Sequence, residues 1–203
     1  MFVCFILKMI EQIKCNLCGS QNYKILFKST LEESDFKKNI GFSYAEGSRK
    51  MGQIVRCNNC GLVYINPREK NIENMYEELG SEVYSKSKNE RIETFEEELK
   101  KIEKITQKKG KILDIGCASG YFLQVAKKHG FDAYGIEISK VESEEARKLG
   151  FTVYNKKLEK CGLKAETFDI VTMWDLIEHV TDPDSLIKET DKVLKKRGLL
   201  VIN

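Results

Sequence analysis

A glycine-containing loop between a predicted strand and a predicted helix constrains this chain more than any other stretch. The loop ends the segment Lys111–Gly120, K-I-L-D-I-G-C-A-S-G, whose first apolar residues predict a short buried strand. The residues that follow, Tyr121–His129, have helical spacing. Gly116, Ala118 and Gly120 leave the main chain of the loop nearly bare, at the positive end of that helix. The stretch is therefore predicted to hold a cofactor against its main chain.

The spacing of this loop differs from the fingerprint of nicotinamide and flavin sites. That fingerprint is G-x-G-x-x-G, whereas here Asp114 lies inside the predicted strand and no third glycine follows at the expected offset. The second predicted strand, Ala133–Ile138, places Glu137 at its carboxyl end, where an acid can accept hydrogen bonds from both hydroxyls of a ribose. A glycine turn and a surface acid that only close a βαβ unit are the alternative interpretation.

These residues resemble the first motif of the class I S-adenosylmethionine-dependent methyltransferases, and the resemblance extends from about Gly110 to the end of the chain. It implies S-adenosyl-L-methionine as the cofactor. In that family the adenine lies between the third and fourth strands, which corresponds here to Lys157, Leu158 and Glu159, although this segment departs from the usual aspartate pattern. The residues expected to bind the cofactor are Asp114, Gly116, Ala118, Gly120, Glu137, Ile138, Leu158 and Trp174.

Strands and helices alternate over the rest of this region. Phe151–Tyr154 and Phe168–Met173 are the third and fourth predicted strands. Ser139-x-x-Glu142 is a predicted capping box that begins the helix between the second and third strands. This alternation predicts an α/β fold, a Rossmann-like doubly wound parallel sheet.

The segment after the fourth predicted strand, W-D-L-I-E-H-V-T-D-P-D, carries the candidate catalytic groups. If Asp175 begins a helix, then Asp175, Glu178 and His179 project from one face, at the sheet edge where ligands bind. The segment resembles the E-H-V-x-D-P signature of the ubiquinone-biosynthesis type O-methyltransferases and their relatives, in which the acid and the histidine face the substrate and in some members help to hold a divalent metal. The resemblance implies His179 as the base, with Asp175 and Glu178 orienting it or binding a cation. A packed or capping histidine is the alternative.

Two copies of one short cysteine motif precede this region. Cys15 and Cys18 in C-N-L-C-G, and Cys57 and Cys60 in C-N-N-C-G, are spaced so that each pair of thiolates can face one ion. The glycine after each pair tolerates a positive φ. Four thiolates predict a closed tetrahedral zinc site, because a chain without an export signal favours metal over disulfides. Four reduced cysteines without a metal are the alternative.

Short strands are predicted around the cysteine motifs. The candidates are Tyr23–Phe27, Gln53–Val55 and Leu62–Ile65, the last stopped by Pro67. The run C-G-L-V-Y-x-N-P-R resembles the zinc-binding head found in front of many bacterial and archaeal methyltransferases that act on sugars, lipids and other small molecules. A small zinc-ribbon-like β domain is therefore expected before the catalytic domain.

Helices are predicted between the two regions, over Arg68–Thr106. The last of them has one apolar stripe, expected to pack on the sheet and formed by Ile92, Phe95, Leu99, Ile102 and Ile105. Tyr76 and Tyr84 precede it in a polar stretch that forms a lid over the cofactor in related enzymes. The predicted domains are an N-terminal extension (1–14), a zinc-ribbon-like domain (15–66), a helical linker and lid (67–107) and a methyltransferase domain (108–203).

The two ends of the chain carry expectations of their own. The run M-F-V-C-F-I-L lacks a basic region and a cleavage site and is too short to span a bilayer, so a cytoplasmic protein is expected, with translation beginning at Met9. At the other end a helix from Asp182-Pro183 is predicted to run to Lys196, before a fifth strand from Gly198. Because the family continues with further elements, the chain is expected to be a C-terminally truncated fragment. Its last strand would be an exposed edge, and it would bind the cofactor weakly and be nearly inactive.

The composition separates the remaining hypotheses. A hydrophobic content of 41% and a charged content of 32% are typical of soluble globular domains, and a net charge of +3 is too small to predict nucleic acid binding. The predicted function is an S-adenosylmethionine-dependent methyltransferase that acts on a small molecule such as a sugar, a lipid or a secondary-metabolite precursor. The alternatives are an RNA methyltransferase whose zinc head grips a stem, and a truncated, non-catalytic cofactor-binding protein.

Overall fold

The structure, a computed structural model, describes residues 10–31, 51–70, 88–106 and 109–203. The chain forms two compact units, Met1–Ile72 and Glu73–Asn203, and each has its own sheet. Within the described ranges, no helix has both the length and the apolar character that crossing a membrane requires. The predicted lid tyrosines, Tyr76 and Tyr84, and the predicted start at Met9 lie outside the described residues.

The first unit is built from short antiparallel strands. They are β1 (Ile10–Glu11), β2 (Tyr23–Phe27), β3 (Ile54–Cys57), β4 (Val63–Ile65) and β5 (Arg68–Glu69). Strands β2, β3 and β4 form a three-stranded sheet in that order, and β1 pairs with β5. The central strand alternates in burial, because successive side chains of a strand point to opposite faces: Val55 and Cys57 are buried, and Arg56 is exposed.

The strand predictions for this unit are largely confirmed. Strand β2 has the predicted bounds, and the strand predicted at Gln53–Val55 is β3. The prediction that helices begin at Arg68 is wrong, because β5 pairs with β1 there. Nε of Arg68 also donates to Oε1 of Glu11 at 2.9 Å, which adds a charged contact to this strand pair.

The second unit contains a five-stranded parallel sheet. Its strands are β6 (Lys111–Ile115), β7 (Asp132–Ile136), β8 (Thr152–Tyr154), β9 (Phe168–Met173) and β10 (Leu194–Ile202). The strand order is β10-β9-β6-β7-β8, with β6 hydrogen-bonded to both β7 and β9. This order confirms the predicted doubly wound, Rossmann-like sheet. Because the direction of winding reverses beside β6, ligands are expected at the carboxyl ends of β6 and its neighbours.

Helices cover this sheet on both faces. They are α1 (Lys88–Ile105), α2 (Tyr121–Lys128), α3 (Lys140–Lys148) and α4 (Pro183–Val193). The apolar run of β6 supplies both faces: Ile112 packs in one buried cluster with residues of α1 and α2, and Leu113 packs in another with Val193 of α4. A strand buried on both faces needs such an uninterrupted apolar run.

The apolar stripe of α1 is mostly buried as predicted. Leu99 and Ile102 are buried in the cluster that includes Phe122 of α2, and Ile92 and Phe95 pack against it. The prediction is wrong for Ile105, whose exposure is 69%. The helix ends at this residue.

The end of α4 differs from the prediction. The helix ends at Val193 rather than at Lys196, and β10 begins at the next residue. Arg197 has a φ of 63°, and the register of β10 against β9 shifts between Leu194 and Leu199. The first residues of β10 are therefore irregular, and regular pairing with β9 begins at Leu199. As predicted, β10 lies at an edge of the described sheet.

Candidate functional site

The loop after β6 has the open backbone that its sequence predicts. Gly116, Ala118 and Gly120 have φ values of 78°, 44° and 80°, in the left-handed region. The N–H groups of Gly116 and Cys117 both donate to the carbonyl of Ile136, at 2.7 and 3.0 Å. These bonds fasten the loop to the end of β7, so the amides of these two residues are used within the protein rather than held for a ligand.

Glu137 lies directly beside this loop. Its side chain is buried, and its carboxylate accepts the N–H of Ala118 at 2.9 Å and the N–H of Ser139 at 2.7 Å. Burial raises the pKa of Glu137, against the lowering effect of these two amides. Each carboxylate oxygen has a second lone pair, so both can still accept a hydroxyl. The geometry therefore suits the ribose role expected of Glu137.

The loop after β8 also supports this position. Nδ2 of Asn155 donates to the carbonyls of Glu137 and Ile138, both at 2.8 Å. These bonds hold the backbone on which Glu137 lies. Ile138 itself is half-buried, and its expected contact with the cofactor stays a prediction.

The predicted capping box at α3 is only half formed. Ser139 Oγ accepts the N–H of Glu142 at 3.4 Å, as predicted. The carboxylate of Glu142 does not return to the N–H of Ser139, because Glu137 already accepts that N–H. Instead, the hydroxyl of Ser119 in the loop donates to Glu142. This part of the prediction is wrong, and Glu142 is a buried partner of the loop.

Asp114 lies at the end of β6 with 2% of its surface exposed. Its Oδ1 accepts the hydroxyl of Thr172 on β9 at 2.7 Å. Burial raises the pKa of Asp114 to about 8, with a further contribution from the charge of Glu137 and a lowering effect of the Thr172 bond. Burial therefore favours the neutral form of this carboxyl.

A narrow cleft that opens to solvent lies between the β6 loop and α1. Three aromatic rings form one side of it: the Trp174 ring is 5.8 Å from Phe95 and 5.2 Å from Phe122 between centroids. The indole N–H of Trp174 is buried and has no hydrogen-bond partner among the described residues. The cleft is also lined by Arg91, Asp114, Gly116, Cys117, Ala118 and Tyr121.

Leu158 is placed apart from this cleft. It begins a one-turn 3-10 helix, Leu158–Lys160, and packs in the buried cluster with Leu113 and Ile136. It also lines a separate cavity with Leu163 and Val193. Leu158 does not line the cleft beside Asp114, and its expected contact with the adenine stays a prediction.

The helix expected to begin at Asp175 does not form. Asp175 has a φ of 48°, and only Ile177–His179 forms a short 3-10 turn. Asp175 lies outside this turn, so the inference that Asp175, Glu178 and His179 share one helical face is wrong. His179 Nε2 lies 4.0 Å from Glu178 Oε1, and the Asp175 carboxylate lies 3.8 Å from Arg91. The catalytic roles of these residues stay predictions.

The four motif cysteines come together in the first unit. Their sulfur atoms all lie within 4.8 Å of one another, with Cys15–Cys60 at 3.4 Å and Cys18–Cys57 at 3.5 Å. Tetrahedral zinc with Zn–S bonds of about 2.3 Å needs sulfur–sulfur edges of about 3.8 Å. The cluster is therefore compatible with a tetrahedral metal site.

The two cysteine motifs have matching backbone geometry. Gly19 and Gly61 have φ values of 70° and 83°, and their N–H groups donate to the carbonyls of Cys15 and Cys57 at 2.8 and 3.0 Å. The N–H of Cys60 is the main reason that the pKa of Cys57 is lowered to about 6. The N–H of Leu62 lowers the pKa of Cys60, but burial and the hydrogen bonds with the other three thiols raise it to about 12, so without a metal the four sulfurs share their protons.

The chain matches the family model of the methyltransferase domain over residues 87–203, which is more than half of its length. The chain belongs to this methyltransferase family. The match covers α1, the parallel sheet and the cleft. The fold of this part of the chain is that of the class I S-adenosylmethionine-dependent methyltransferases.

Individual relatives agree with this assignment. A ubiquinone biosynthesis O-methyltransferase of Coxiella burnetii is 33% identical over 109 residues, covering 50% of this chain and 47% of the relative. A Pyrococcus horikoshii protein of known structure is 28% identical with a TM-score of 0.51, covering 64% and 58%. A Thermotoga maritima methyltransferase, titled a possible histamine N-methyltransferase, is 30% identical with a TM-score of 0.52, covering 64% and 61%. The chain spans about half the length of the curated relatives it matches.

The cleft, and Glu137 near the loop that borders it, carry polar groups that are compatible with the cofactor expected from the family. A Cβ added at Gly116 would lie 3.1 Å from Leu176, so the absence of a side chain at Gly116 lets Leu176 pack directly against the loop. The Trp174 indole offers an unused donor, and Glu137 offers lone pairs for hydroxyls. Donors and acceptors are thus both present for a polar nucleoside ligand.

Several residues of the site were not predicted from the sequence. Arg91, Phe95 and Tyr121 line the cleft, and Thr172 and Asn155 hold Asp114 and the end of β7. Phe95 carried a signal, since it belongs to the predicted stripe of α1. The others depend on contacts between residues far apart in sequence, which spacing does not encode.

Proposed function

We propose that the protein is an S-adenosylmethionine-dependent methyltransferase that methylates a small-molecule acceptor. The observation that carries this proposal is the pair of buried acids, Asp114 and Glu137, on either side of the bare loop in a chain of this family. The acids lie where strand order reverses, the usual place for a nucleoside ligand in this type of sheet. The names of the curated relatives, ubiquinone biosynthesis O-methyltransferases, support a small-molecule acceptor.

The chain's own residues would hold and orient the cofactor. Glu137 would accept the ribose hydroxyls, Gly116 and Gly120 would let the ligand approach the main chain, and Trp174 would donate its indole N–H. The bound cofactor supplies a methyl group already activated by its sulfonium. Alignment of the acceptor then accounts for much of the rate, since positioning contributes several orders of magnitude.

His179 is proposed as the base that removes the acceptor's proton. Its side chain is 31% exposed, at the carboxyl edge of the sheet, and Glu178 lies 4.0 Å from its Nε2. Glu178 would stabilise the protonated imidazole after it takes the proton. The carboxylate of Asp175 lies 3.8 Å from Arg91 and would hold the Arg91 guanidinium in place on the wall of the cleft.

The four cysteines are proposed to hold one structural zinc ion. All four protein ligands would be sulfur, which leaves no open position for catalysis. Among its described residues the first unit has few buried apolar side chains, and Val55 is fully buried. A metal would therefore supply much of its folding free energy.

The test is transfer of a radiolabelled methyl group from the cofactor into fractions of a cell extract. The full chain should label the small-molecule fraction and leave RNA and protein unlabelled. His179→Gln should lower kcat by about a hundredfold or more. Asp184→Asn, an exposed acid on α4 paired with Lys188, is the matched control and should retain full activity.

Label in the RNA fraction would contradict the small-molecule proposal. Equal activity of His179→Gln and the wild type would remove the assignment of the base. Cofactor binding without transfer to any fraction would contradict the enzyme proposal and favour a non-catalytic cofactor-binding protein.

A further inference from the structure

One face of the three-stranded sheet in the first unit exposes a row of apolar side chains. Residues that lie directly opposite each other in an antiparallel pair point to the same face. The pairs of β3 with β2 and β4 therefore define a row across this face, which we call the apolar row: Phe27, Ile54 and Ile65. Phe27 is 60% exposed and Ile65 is 49% exposed, and Ile54 between them is half-buried. Contiguous exposed apolar side chains mark interaction sites, whereas single ones are ordinary.

A second row on the same face carries positive charge. It lies two residues farther along β3, about 7 Å away at about 3.4 Å per residue, and consists of Lys24, Arg56 and Val63. We call it the basic row. Lys24 and Arg56 are exposed, and within the described parts of the chain neither has an ion-pair partner. The face thus presents an apolar row beside a row with two unbalanced cations.

The opposite face of this sheet is the one that builds the cysteine cluster. Val55 and Cys57 on β3 point to that face and are buried, and Cys57 is one of the four motif cysteines. The exposed face is therefore not needed to form the cluster. Its side chains can be substituted without changing the residues of the cluster.

The charges of the first unit indicate what this face can bind. Its described residues include six lysines and arginines but two acids, Glu11 and Glu69, and both acids lie on the β1–β5 pair. Two copies of the face would bring like charges together, so a second copy of this chain is disfavoured. Single-stranded nucleic acid would need several aromatic rings for stacking, and Phe27 is the one ring in the two rows. The partner must therefore be both apolar and anionic.

An anionic lipid bilayer meets both requirements in one surface. Its phosphate groups attract lysine and arginine, and apolar side chains can enter the boundary between headgroups and acyl chains. A helical protein partner would need a groove for its apolar side chains, whereas the two rows form one broad face across three strands. The combination of rows therefore fits a lipid surface better than a protein.

We propose that this face of the first unit binds the surface of an anionic lipid bilayer. The apolar row enters the boundary between headgroups and acyl chains, and Lys24 and Arg56 contact lipid phosphates while their stems lie along the apolar side chains. Binding is reversible and falls with salt, because two exposed cations supply the electrostatic part of it. The inference does not depend on the cofactor or on the proposed base.

The test is co-sedimentation of the full chain with two kinds of vesicle, phosphatidylcholine alone and phosphatidylcholine with about one third phosphatidylglycerol. The chain should bind the mixed vesicles at least about tenfold more tightly than the neutral ones. High salt should remove most of this difference, because it screens charges at an exposed surface.

The double variant Lys24→Gln, Arg56→Gln should bind the mixed vesicles about thirtyfold more weakly, since each cation near an anionic surface contributes about fivefold. The matched control is Lys160→Gln, Lys164→Gln, which removes the same charge from two exposed positions of the second unit and should bind like the wild type.

Phe27→Ser should weaken binding to the mixed vesicles at least about fivefold. Ile65→Thr keeps a β-branched residue in the strand and should also weaken binding, so a loss in this variant does not come from a lost strand. Ile105→Ser, at a 69% exposed position of α1, is the control and should leave binding unchanged. Urea unfolding midpoints of the face variants should match the wild type, because the substituted side chains are exposed.

Failure of the wild type to bind the mixed vesicles would overturn the inference, as would equal binding by the Lys24→Gln, Arg56→Gln variant and its control. Binding of polyuridylate or of polyglutamate in place of the vesicles would also overturn it, and would assign the face to RNA or to an acidic protein. Self-association of the full chain that Phe27→Ser abolishes, without vesicle binding, would assign the face to a second copy instead.

Discussion

The hydroxyl of Thr172 on β9 donates to the carboxyl of Asp114 on β6, at 2.7 Å, in the buried centre of the sheet. The bond favours the ionised form of Asp114 and so opposes the effect of burial on its pKa. It also links the strand that begins the cofactor loop to the strand that precedes the candidate catalytic segment.

Replacement of Thr172 by valine should raise the pKa of Asp114 further above about 8, because valine has no hydroxyl to stabilise the carboxylate. A carbon-13 NMR titration of the Asp114 carboxyl measures this directly. Thr190→Val is the matched control: Thr190 is also buried, and its hydroxyl donates to the Leu186 carbonyl at 2.8 Å. Both variants should lose about 1 kcal/mol of unfolding free energy. An unchanged Asp114 titration in Thr172→Val would show that the bond has no such effect.

The sheet was predictable because its strands carry strong local signals. Phe168–Met173 has the predicted bounds, and the predicted strand with Ile112 and Leu113 is buried on both faces. Glycine positions were equally clear, since a positive φ at Gly116 and Gly120 is a local requirement of the turn.

The failed predictions concern choices between competing partners. Glu142 could have capped its own helix, but Glu137 had taken the N–H of Ser139, so Glu142 binds the loop instead. Asp175 had helical spacing to His179, yet Asp175 has a φ of 48° and only the short 3-10 turn Ile177–His179 follows it. Such outcomes depend on tertiary contacts, which override local patterns.

His129 joins α2 to α1 through two acids. Its Nε2 lies 2.7 Å from Glu96 and its Nδ1 lies 3.0 Å from Glu103, so both ring nitrogens are positioned to donate when the ring is protonated. The hydrogen bond with Glu96, followed by that with Glu103, raises the pKa of His129 above 6.5.

Replacement of His129 by glutamine should destabilise the protein by about 1–2 kcal/mol near pH 6. Because the folded pKa lies above the unfolded value, this stabilisation is complete below pH 6.5 and is lost as pH rises through the folded pKa. Urea unfolding from pH 6 to pH 9 measures the difference. Lys192→Gln, which removes an exposed pair with Glu189, is the control and should change stability by less than about 0.5 kcal/mol. A His129 effect that grows with pH would contradict this explanation.

Substitution of Gly116 by alanine should weaken cofactor binding at least tenfold. The new Cβ would lie 3.1 Å from Leu176, so either Leu176 or the loop would have to shift, and a φ of 78° would also be strained. Gly150→Ala is the matched control, because Gly150 has a φ of 85° and nothing within 4 Å of an added Cβ. Both variants should lose about 1 kcal/mol of stability from backbone strain. Equal cofactor affinities of Gly116→Ala and Gly150→Ala would contradict the assignment of the β6 loop to the cofactor site.

Metal analysis of the protein purified without chelator should give one zinc ion per chain, and Cys57→Ser should lose it. The physical reason is that three thiolates and an alcohol bind zinc far more weakly than four thiolates. Cys161→Ser, at a cysteine outside the cluster, is the control and should retain the metal. A zinc content near zero in the wild type would contradict the structural zinc site.

Calorimetric titration of S-adenosylmethionine into the wild type, Glu137→Gln and Glu144→Gln at constant pH tests the central claim most directly. Glu137 carries the ribose assignment, whereas Glu144 is an exposed acid on α3 that pairs only loosely with Lys140, at 4.0 Å. The proposed function predicts binding by the wild type and by Glu144→Gln, and an affinity at least about tenfold lower for Glu137→Gln. Undiminished binding by Glu137→Gln would contradict the ribose assignment, and no binding by the wild type would contradict the proposed function itself.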